Sequence, residues 1–412
     1  MDELVHDWNE APGARSARPP AAVLDDTLRD GLQNASVRLP PLDTRLLLVR
    51  RAAELGVECV NLGLPAASDL AFEEIAALCR AIRDEKLPLA VACAGRTLAR
   101  DMEPIVELVE RTGLRVEAHC FVGSSPVRLL AEGWSPDELE RRSAEAVDVA
   151  VRAGLEAVFV TEDTTRSRPD FLERLFACAL DHGASRLCLC DTVGHATPEG
   201  ATRLVEFTRS IVERSGTRAR IDWHGHNDRG LGLATALAAV RAGVDRVHAT
   251  ALGIGERVGN TPLELLVVNL ALEGRWPHPL EALARYVDTV ARALGWNIPK
   301  NYPVFGENAF RTATGVHAAA IRKAEARDRK LADIVYSSVP SAWFGREQEI
   351  AVGPMSGAAN VRAWLERHDV PADPELVAHI VRAAKRSDHI LSDAELSLLT
   401  REHTLKERTG RT

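Results

Sequence analysis

Short apolar runs rich in β-branched residues alternate along this chain with longer stretches whose apolar residues recur every three or four positions. The short runs predict buried strands, and the longer stretches predict amphipathic helices, among them residues 42–55, 137–153 and 198–215. From residue 21 onward the alternation is regular. The eight predicted strands cover residues 23–26, 58–62, 87–93, 115–122, 157–162, 186–191, 220–226 and 246–252.

Eight strands that are each followed by a helix, within roughly 250 residues, are typical of a (β/α)8 TIM barrel. A doubly wound open sheet also alternates strands and helices, and it is the alternative on pattern alone. The regular spacing and the number of strands favour the barrel. The predicted fold class is therefore α/β, with a (β/α)8 TIM barrel over residues 21–275 followed by a smaller, mainly helical C-terminal region.

The segments outside the predicted barrel differ in character. Residues 1–20 are polar and end in two prolines, which predicts a flexible N-terminal arm. Residues 276–357 are predicted to be a linker and a further subdomain: a helix over 280–294, then a polar, glycine-containing stretch with little apolar core of its own. Residues 358–412 are predicted to form a helical C-terminal subdomain.

Composition narrows the class of protein. The chain has 412 residues, a formal net charge of −8 and 5% aromatic residues, which argues against nucleic acid as a partner. No run of 18 apolar residues occurs and the N-terminus lacks an apolar core, so neither a membrane span nor a secretory signal is expected. An odd number of cysteines, seven, indicates reduced thiols and a cytoplasmic location.

Polar and titratable side chains follow most of the predicted strands, and barrel enzymes carry their chemistry at these strand ends. Random surface loops are also polar, but they rarely place carboxylates and imidazoles at the last residues of apolar strands. The residues at these ends include Arg29 and Asp30 after strand one, His119 in strand four, Glu162 in strand five, Thr192 after strand six, His224 and His226 in strand seven, and residues 253–260 after strand eight.

His224 and His226 predict a metal site. Residues i and i+2 of a strand face the same side, so both imidazoles can point at one centre, and Gly225 between them allows close approach. Two hydrogen-bonded histidines near a barrel mouth would show the same spacing, but Asp30 at another strand end adds a carboxylate. Two histidines and a carboxylate form a common open metal site, for which Mg²⁺, Mn²⁺ and Zn²⁺ are all candidates.

Two further patterns are less specific. Residues 253–260, which read GIGERVGN, could cradle a phosphate with exposed backbone N–H groups, and a tight barrel turn explains them about as well. Cys188 and Cys190 are also an i, i+2 pair. They lie within an apolar strand and are predicted to fill the barrel.

Three motifs together resemble the TIM-barrel, metal-dependent acyl-CoA condensing and cleaving enzymes. This superfamily includes 2-isopropylmalate, homocitrate and citramalate synthases and 3-hydroxy-3-methylglutaryl-CoA lyase. Residues 25–33 resemble its D-T-T-L-R-D-G-E-Q motif, residues 224–228 its H-x-H-N-D motif, and residues 253–260 its G-x-G-E-R-x-G-N turn. The motifs occur in the family's order at three barrel ends, and the resemblance covers residues 22–357.

The resemblance implies a metal centre and its neighbours. Asp30, His224 and His226 would hold one divalent metal ion (Mg, Mn or Zn), with Asn260 as an additional ligand. Arg29 would stabilise the enolate or keto oxygen. The resemblance also implies that acyl-CoA is a co-substrate.

The resemblance further implies a substrate pocket. Thr192 would hold the carboxylate of a 2-oxo acid, and His119 and Glu162 would line the pocket. Gly255, Glu256 and Arg257 would lie near the thioester end of the acyl-CoA.

Beyond the barrel, residues 315–317 resemble the family's G-x-H segment, whose histidine reaches the active site of a neighbouring subunit. His317 and Tyr336 would then complete the site within residues 276–357, in a homodimer with shared active sites. A positioned base must take the methyl proton of the acyl group, and Glu162 together with His317 is the candidate assembly.

Four positions depart from the synthase pattern. Leu32 replaces a glutamate, so that residues 32–34 match the lyase instead, and Asn61 replaces an acidic residue at the end of strand two. Thr312 and Ser337 replace a histidine and a glutamate in the C-terminal segment. These departures leave the metal ligands intact but bear on the substrate.

The leading functional hypothesis is a Claisen-type condensation of acetyl-CoA with a 2-oxo acid, followed by thioester hydrolysis. The product would be a 2-hydroxy dicarboxylate or tricarboxylate. Carbon–carbon cleavage of a hydroxyacyl-CoA by a lyase is the alternative that residues 32–34 support. A catalytically inactive binding barrel is a third hypothesis, and the full set of metal ligand types argues against it.

Overall fold

Eight parallel strands form a closed barrel in the computed structural model, which describes residues 6, 8, 9 and 22–409, with side chains as far as residue 405. β1 pairs with both β2 and β8, which closes the barrel and confirms the predicted fold. Apart from residues 6, 8 and 9, the predicted arm over residues 1–20 lies outside the described residues. The barrel strands are β1 (Ala22–Asp25), β2 (Cys59–Asn61), β3 (Ala90–Arg96), β4 (Glu117–Gly123), β5 (Glu156–Glu162), β6 (Arg186–Asp191), β7 (Arg220–Gly225) and β8 (Arg246–Ala249).

Helices alternate with these strands, and their ends follow local capping chemistry. The helix that connects β6 to β7 is an example: Thr197 accepts a hydrogen bond from the N–H of Gly200, Pro198 occupies the first helical position, and Gly216 ends the helix in the left-handed conformation. The helices as far as the end of the barrel segment are α1 (Leu42–Leu55), α2 (Asp69–Asp84), α3 (Ala99–Thr112), α4 (Pro126–Glu132), α5 (Pro136–Arg152), α6 (Pro169–Asp181), α7 (Pro198–Ser215), α8 (Gly232–Ala242), α9 (Leu263–Leu272) and α10 (Glu281–Leu294).

Two predicted strands have bounds that were wrong by three residues, while the bounds of the other six agree to within two residues. β3 begins three residues later than predicted, because the N–H groups of Leu87 and Leu89 bond to Ile82 and Leu87 and so close the turn after α2. β8 ends three residues earlier than predicted, at Ala249, because the following residues form a 3-10 turn in which Leu252 has a φ of 57°. In both cases the apolar residues have a strand-like sequence pattern but belong to a turn.

Small apolar layers fill part of the barrel interior. Leu24, Cys59 and Ala92 form one buried cluster, and Val158 packs with Cys188 and Cys190 in another. The predicted packing role of the two strand-six cysteines is therefore confirmed. All seven cysteines are free thiols, and among the described residues no helix has the length and apolar character needed to cross a membrane.

The described chain divides into two compact units. The first comprises residues up to 278 together with 285–296, and the second comprises residues 279–284 and those from 297 onward. The second unit contains a two-stranded parallel sheet and five helices: β9 (Arg311–Thr312), β10 (Glu349–Ile350), α11 (Gly315–Glu325), α12 (Arg329–Ile334), α13 (Ala358–Arg367), α14 (Pro374–Arg386) and α15 (Asp393–Thr409).

Within residues 297–357, a small apolar cluster is completed by a helix from outside the stretch. Ala318 and Ile321 of α11 pack with Ile350 of β10, and Ala359 and Ala363 of α13 cover this cluster. Ala318 and Ile321 are three residues apart, so they lie on the same face of α11 although the surrounding sequence is polar. The stretch therefore packs against the C-terminal helices of its own unit.

Candidate active site

The three predicted metal ligands meet at the mouth of the barrel. Asp30 lies in the turn after β1, and His224 and His226 lie at the end of β7. Asp30 Oδ2 is 3.4 Å from His224 Nε2 and 3.5 Å from His226 Nε2, and the two Nε2 atoms are 3.2 Å apart. All three side chains are buried. One ion could contact a ligand atom from each of them.

The protonation of this cluster suits a cation. Burial alone would raise the pKa of Asp30, but Arg29 and the two imidazoles hold that pKa well below its usual range. Burial, together with the neighbouring His224, lowers the pKa of His226 to about 4. Burial would lower the pKa of His224, but the hydrogen bond and charge of Asp30 raise it, so a cation competes with a proton at this imidazole. The cluster thus offers an ionised carboxylate at Asp30 and a neutral imidazole at His226, which are the forms that bind metal.

Buried polar atoms beside the cluster lack hydrogen-bond partners in the described part of the chain. Asn260 is 1% exposed, yet neither its Oδ1 nor its Nδ2 has a partner, and His226 Nδ1 has none either. A backbone bridge joins Asn260 to His226. Unpaired buried polar atoms cost about 1–3 kcal/mol each, so they call for a ligand or ordered water. The carboxylate, imidazole and amide groups therefore fit a divalent cation.

The turn over residues 253–260 holds these ligands in place. A Cβ atom at Gly255 would lie 1.9 Å from Asn260 Nδ2 and 3.0 Å from Asp30 Oδ1, so only glycine fits between the two groups. Gly259 has a φ of +94°, and its N–H bonds to the carbonyl of Glu256. The N–H of Glu256 donates to Asp30 Oδ1 at 3.1 Å. Several N–H groups of the turn are thus used internally, which favours the tight-turn interpretation over a phosphate cradle.

Asp26, a residue to which the sequence analysis gave no role, anchors the predicted catalytic arginine. Arg29 Nε donates to Asp26 Oδ1 at 3.1 Å and its Nη2 bonds to Asp26 Oδ2, while Arg29 Nη1 is 3.4 Å from Asp30 Oδ2. Asp26 Oδ2 is also 3.6 Å from His224 Nδ1. One buried carboxylate therefore orients both the guanidinium and a candidate metal ligand.

A cavity of about 260 Å³ opens beside this centre. Most of the predicted site residues of the barrel line it, and Gly255 and Asn260 belong to the adjoining turn. The lining residues among them are Arg29, Asp30, His119, Glu162, Thr192, His224, His226, Glu256 and Arg257.

Glu162 is the cavity's candidate proton-transfer group. Burial raises its pKa, although Arg128, whose Nη2 is 3.7 Å from Glu162 Oε2, partly opposes the shift. A carboxyl group with a raised pKa is a better proton acceptor than an ordinary carboxylate. Glu162 sits at the end of β5, where the strand delivers it into the barrel mouth.

Thr192 and Arg257 stand at the rim. Thr192 Oγ1 accepts the N–H of Asp163 at 2.8 Å, which leaves its hydroxyl hydrogen free to donate to a ligand. Arg257 forms a two-bond ion pair with Asp228, with both contacts at 2.9 Å, and also donates to the carbonyl of Thr192. The rim thus carries a free hydroxyl donor beside a neutralised guanidinium.

Four charged residues fill the barrel nearer the starts of its strands, and we call them the barrel floor: Glu117, Arg186, Asp222 and Arg246. Asp222 accepts hydrogen bonds from Arg186 at 2.6 Å and from Arg246 at 2.9 Å. Arg246 also bonds both oxygens of Glu117, at 3.0 and 2.7 Å. All four are buried. This cluster was not predicted from the sequence.

Two cavity-lining histidines rest on the barrel floor. His248 Nε2 is 3.2 Å from Asp222 Oδ2, and His119 Nε2 is 3.4 Å from Glu117 Oε2. The two imidazoles stack with centroids 5.6 Å apart, and His248 packs edge-on to His224 at 5.8 Å. His248 was not among the predicted site residues, although its spacing of two residues from Arg246 indicates that both side chains point into the barrel.

The two candidate residues from beyond the barrel lie together in the second unit. The rings of His317 and Tyr336 stack with centroids 3.9 Å apart and an interplanar angle of 26°. Tyr336 is 47% exposed. Their predicted part in an active site stays a prediction.

The protein is thus a closed (β/α)8 barrel with a candidate divalent-metal centre. Two histidines, a carboxylate and an arginine form this centre at the mouth of the barrel. Sequence comparison names the family within that class. The profile of the HMGL-like family matches residues 21–289, and the chain belongs to this family.

Named relatives agree with this membership, and a solved structure shares the fold. The chain is 34% identical over 377 residues to a Methanopyrus kandleri protein named as an (R)-citramalate synthase, which covers 90% of this chain and 70% of the relative. It is 29% identical over 396 residues to the 2-isopropylmalate synthase of Pyrococcus abyssi, covering 93% and 78%. The HMG-CoA lyase of Bacillus subtilis shares the fold, with a TM-score of 0.58 and 20% identity, over 69% of this chain and 97% of the lyase. The family predicted from the three motifs is confirmed.

Proposed function

We propose that this protein catalyses a metal-dependent Claisen condensation of an acyl-CoA, acetyl-CoA in the first instance, with a 2-oxo acid. Hydrolysis of the thioester then gives a 2-hydroxy-2-substituted dicarboxylate or tricarboxylate. The observation that carries the proposal is the buried cluster of Asp30, His224 and His226 beside Arg29, with unpartnered amide atoms of Asn260 next to it. The names of the sequence relatives, which are synthases, support the same reaction class.

The residues present fit a divalent cation held by Asp30, His224 and His226, with Asn260 as a fourth candidate ligand. Such an ion, when bound, supplies Lewis-acid polarisation of a ketone and compensates developing negative charge. Arg29 adds a fixed positive charge at the same place. Asp26 holds this guanidinium before the substrate arrives, so no reorganisation is needed when charge develops.

Glu162 and Thr192 would handle the organic substrates. Glu162, with its raised pKa, is placed to accept a proton from the methyl group of the acetyl unit. The free hydroxyl hydrogen of Thr192 would donate to the carboxylate of the 2-oxo acid. The resulting carbanion carbon bonds to the ketone carbon, and the π electrons of the ketone move to its oxygen, which takes up a proton that Glu162 would return. Water then adds to the thioester carbonyl and displaces the CoA sulfur, so that a carboxylate and free thiol are released.

The second unit would complete the site in a homodimer. His317 and Tyr336 lie in one stacked pair, which supports a joint role. In this proposal the pair reaches the partner's barrel mouth, where Glu256 and Arg257 flank the acyl-CoA. Subunit exchange between Asp30→Ala and His317→Ala proteins should then restore activity in the mixed dimer. No recovery despite demonstrated exchange would contradict a shared site.

Lyase cleavage of a hydroxyacyl-CoA is the second candidate function, and residues 32–34 favour it. Gln33 lines the cavity, and Asn34 Nδ2 donates to the carbonyl of Gly255 at 2.6 Å, so this lyase-like segment is part of the site wall. The likeness to solved lyases shows the fold alone. The two reactions run in opposite directions on related compounds, so product analysis separates them.

A thiol-release assay tests the proposal. Metal-loaded protein is mixed with acetyl-CoA and each of pyruvate, 2-oxobutyrate, 2-oxoisovalerate and 2-oxoglutarate, and free thiol is followed. The proposal expects release only when acetyl-CoA and a 2-oxo acid are both present. Formation of acetyl-CoA from a hydroxyacyl-CoA, with no release for any 2-oxo acid, would establish the lyase instead.

A further inference from the structure

One buried donor of the active-site cavity has no partner and no task in the proposed reaction. Asn61 ends β2, is 1% exposed and lines the cavity. Its Oδ1 accepts the N–H of Gly63 at 3.2 Å. Its Nδ2 has no hydrogen-bond partner in the described chain. Because Oδ1 is fixed on a backbone donor, the amide cannot be flipped without losing that bond, so an N–H group remains unpaired.

The orientation of Asn61 follows from the strand. Cys59, two residues earlier, belongs to the interior cluster with Leu24 and Ala92, and side chains two apart on a strand face the same way. Asn61 therefore points into the barrel, one layer above the apolar cluster of Leu24, Cys59 and Ala92. Leaving an amide donor unpaired at such a position costs about 1–3 kcal/mol, which a ligand atom that accepts the hydrogen bond would recover.

The groups around the cavity favour an uncharged partner for this amide donor. Two guanidiniums line the cavity, and both are ion-paired. Arg29 pairs with Asp26 and Asp30 and is assigned to the charge that develops at the ketone oxygen, and Arg257 pairs with Asp228. The cavity also carries the carboxyl group of Glu162. In the described chain this leaves no lining guanidinium free for a second carboxylate on a substrate. The acceptor for Asn61 Nδ2 is thus an uncharged oxygen.

A hydroxyl group suits the site better than a carbonyl. Glu117, whose pKa is held well below its usual range against the effect of burial by His119 and Arg246, is an ionised acceptor. His119 Nε2 lies 3.4 Å from Glu117 Oε2, and in the neutral tautomer that donates to this carboxylate the other ring nitrogen of the cavity-lining imidazole is an acceptor. A hydroxyl can accept from Asn61 and donate to an acceptor of this kind.

From these contacts we infer that the preferred 2-oxo acid carries an uncharged hydroxyl on its side chain and that Asn61 is the residue that selects for it. The inference rests on the proposed function and names the substrate class of the same site. Asn61 acts here through direct hydrogen bonding to the substrate. Leu64, Ala94 and Val160, which also line the cavity, would contact the carbon chain.

Isosteric ligand pairs test this inference. Hydroxypyruvate against 2-oxobutyrate, and 4-hydroxy-2-oxobutanoate against 2-oxopentanoate, each exchange one hydroxyl for a methyl group. Calorimetric titration of the metal-loaded protein measures both members without acyl-CoA. At least one hydroxyl compound should bind at least about tenfold more tightly than its methyl partner, because the methyl group leaves Asn61 Nδ2 unpaired.

Variants of Asn61 separate selection from structure. Asn61→Leu should reduce the hydroxyl-to-methyl ratio to about one or below. Asn61→Asp keeps the acceptor for Gly63 but removes the donor, and it should lower the ratio as well even if the leucine variant folds poorly. Asn269→Asp, a control on α9 whose Nδ2 bonds to the carbonyl of Leu265 at 2.8 Å, should keep the wild-type ratio.

The outcomes are distinct. Equal or tighter binding of the methyl compounds by wild type would overturn the inference. So would a uniform loss for all ligands in both Asn61 variants, because that assigns the donor to the shared 2-oxo acid group. Hydroxyl selectivity in binding without thiol release would uphold this inference while contradicting the proposed condensation.

Discussion

The mouth and the floor of the barrel are both buried and charged, yet they differ in how their polar atoms are satisfied. At the floor, Asp222 and Glu117 each receive hydrogen bonds from guanidiniums, and only Arg186 Nε among those contacts lacks a partner in the described chain. At the mouth, atoms of Asn260, His226 and Asn61 are unpaired. A paired cluster supports structure, whereas unpaired atoms in a cavity mark where ligands bind.

The same difference separates two kinds of mutational effect. Changes at the floor break an ion-pair network that contributes to folding, because a removed partner leaves a buried charge uncompensated. Changes at the mouth remove a ligand from a site that the fold tolerates incomplete. Substitutions at the mouth should therefore reduce activity, and substitutions at the floor should reduce stability.

The largest expected effect is on activity at the mouth. Asp30→Asn removes the negative charge of the metal cluster, so thiol release should fall by about a thousandfold or more, which corresponds to several kcal/mol of lost charge stabilisation. The far-UV circular dichroism should be unchanged. Glu206→Gln on the outside of α7 is a matched control that should keep full turnover. A fully active Asp30→Asn protein would remove the basis for assigning the chemistry to the mouth.

The next effect is on stability at the floor. Asp222→Asn leaves Arg186 and Arg246 without their shared carboxylate, and the free energy of unfolding should fall by about 3–5 kcal/mol in urea denaturation. Asp170→Asn, whose ion pair with Arg168 is exposed, should change it by less than about 1 kcal/mol. A floor variant as stable as wild type would mean that the network is dispensable for folding.

A smaller effect concerns pH. Burial lowers the pKa of His248 to about 4, below the unfolded value of 6.5, so this group costs stability as pH falls from about 6.5 to 4, by roughly 3 kcal/mol at most. His248→Gln should lose that share of the acid dependence. His389, which is exposed and whose pKa Asp388 and Glu395 raise, contributes with the opposite sign, so His389→Gln should not reduce acid sensitivity. Identical pH profiles for wild type and His248→Gln would contradict this assignment.

The sequence was enough to predict the residues of the mouth, but it was not enough to predict those of the floor. Asp30, His224 and His226 were predictable because each stands at the end of a strand, and parallel strands in a barrel bring their ends to one mouth. The barrel floor was not, because Arg246 lies 129 positions from Glu117 along the chain and each charge alone resembles a surface residue. The pairing exists only once the strands have closed.

The local sequence pattern also gave wrong strand bounds where apolar residues lie in turns. Leu87, Leu89 and Leu252 look like strand residues, yet hydrogen bonds of the turns after α2 and β8 determine their conformation. The helix α11 was hidden in a polar stretch, because only a few of its residues face the core. Asn61 was noted as a departure from the synthase pattern, but its unpaired donor is visible only in the folded barrel.

Direct measurement of cation binding tests the assignment of the mouth most directly. Calorimetric titration of chelator-treated protein with Mn²⁺ should give one site per chain, with binding lost in His224→Ala. Asp26, His224 and His248 form a second group whose ligand atoms could also meet one ion, so retained binding in His248→Gln distinguishes the proposed ligands from that group. Metal content after dialysis should show the same pattern. Wild-type binding that persists unchanged in His224→Ala, or no binding at all, would contradict the account.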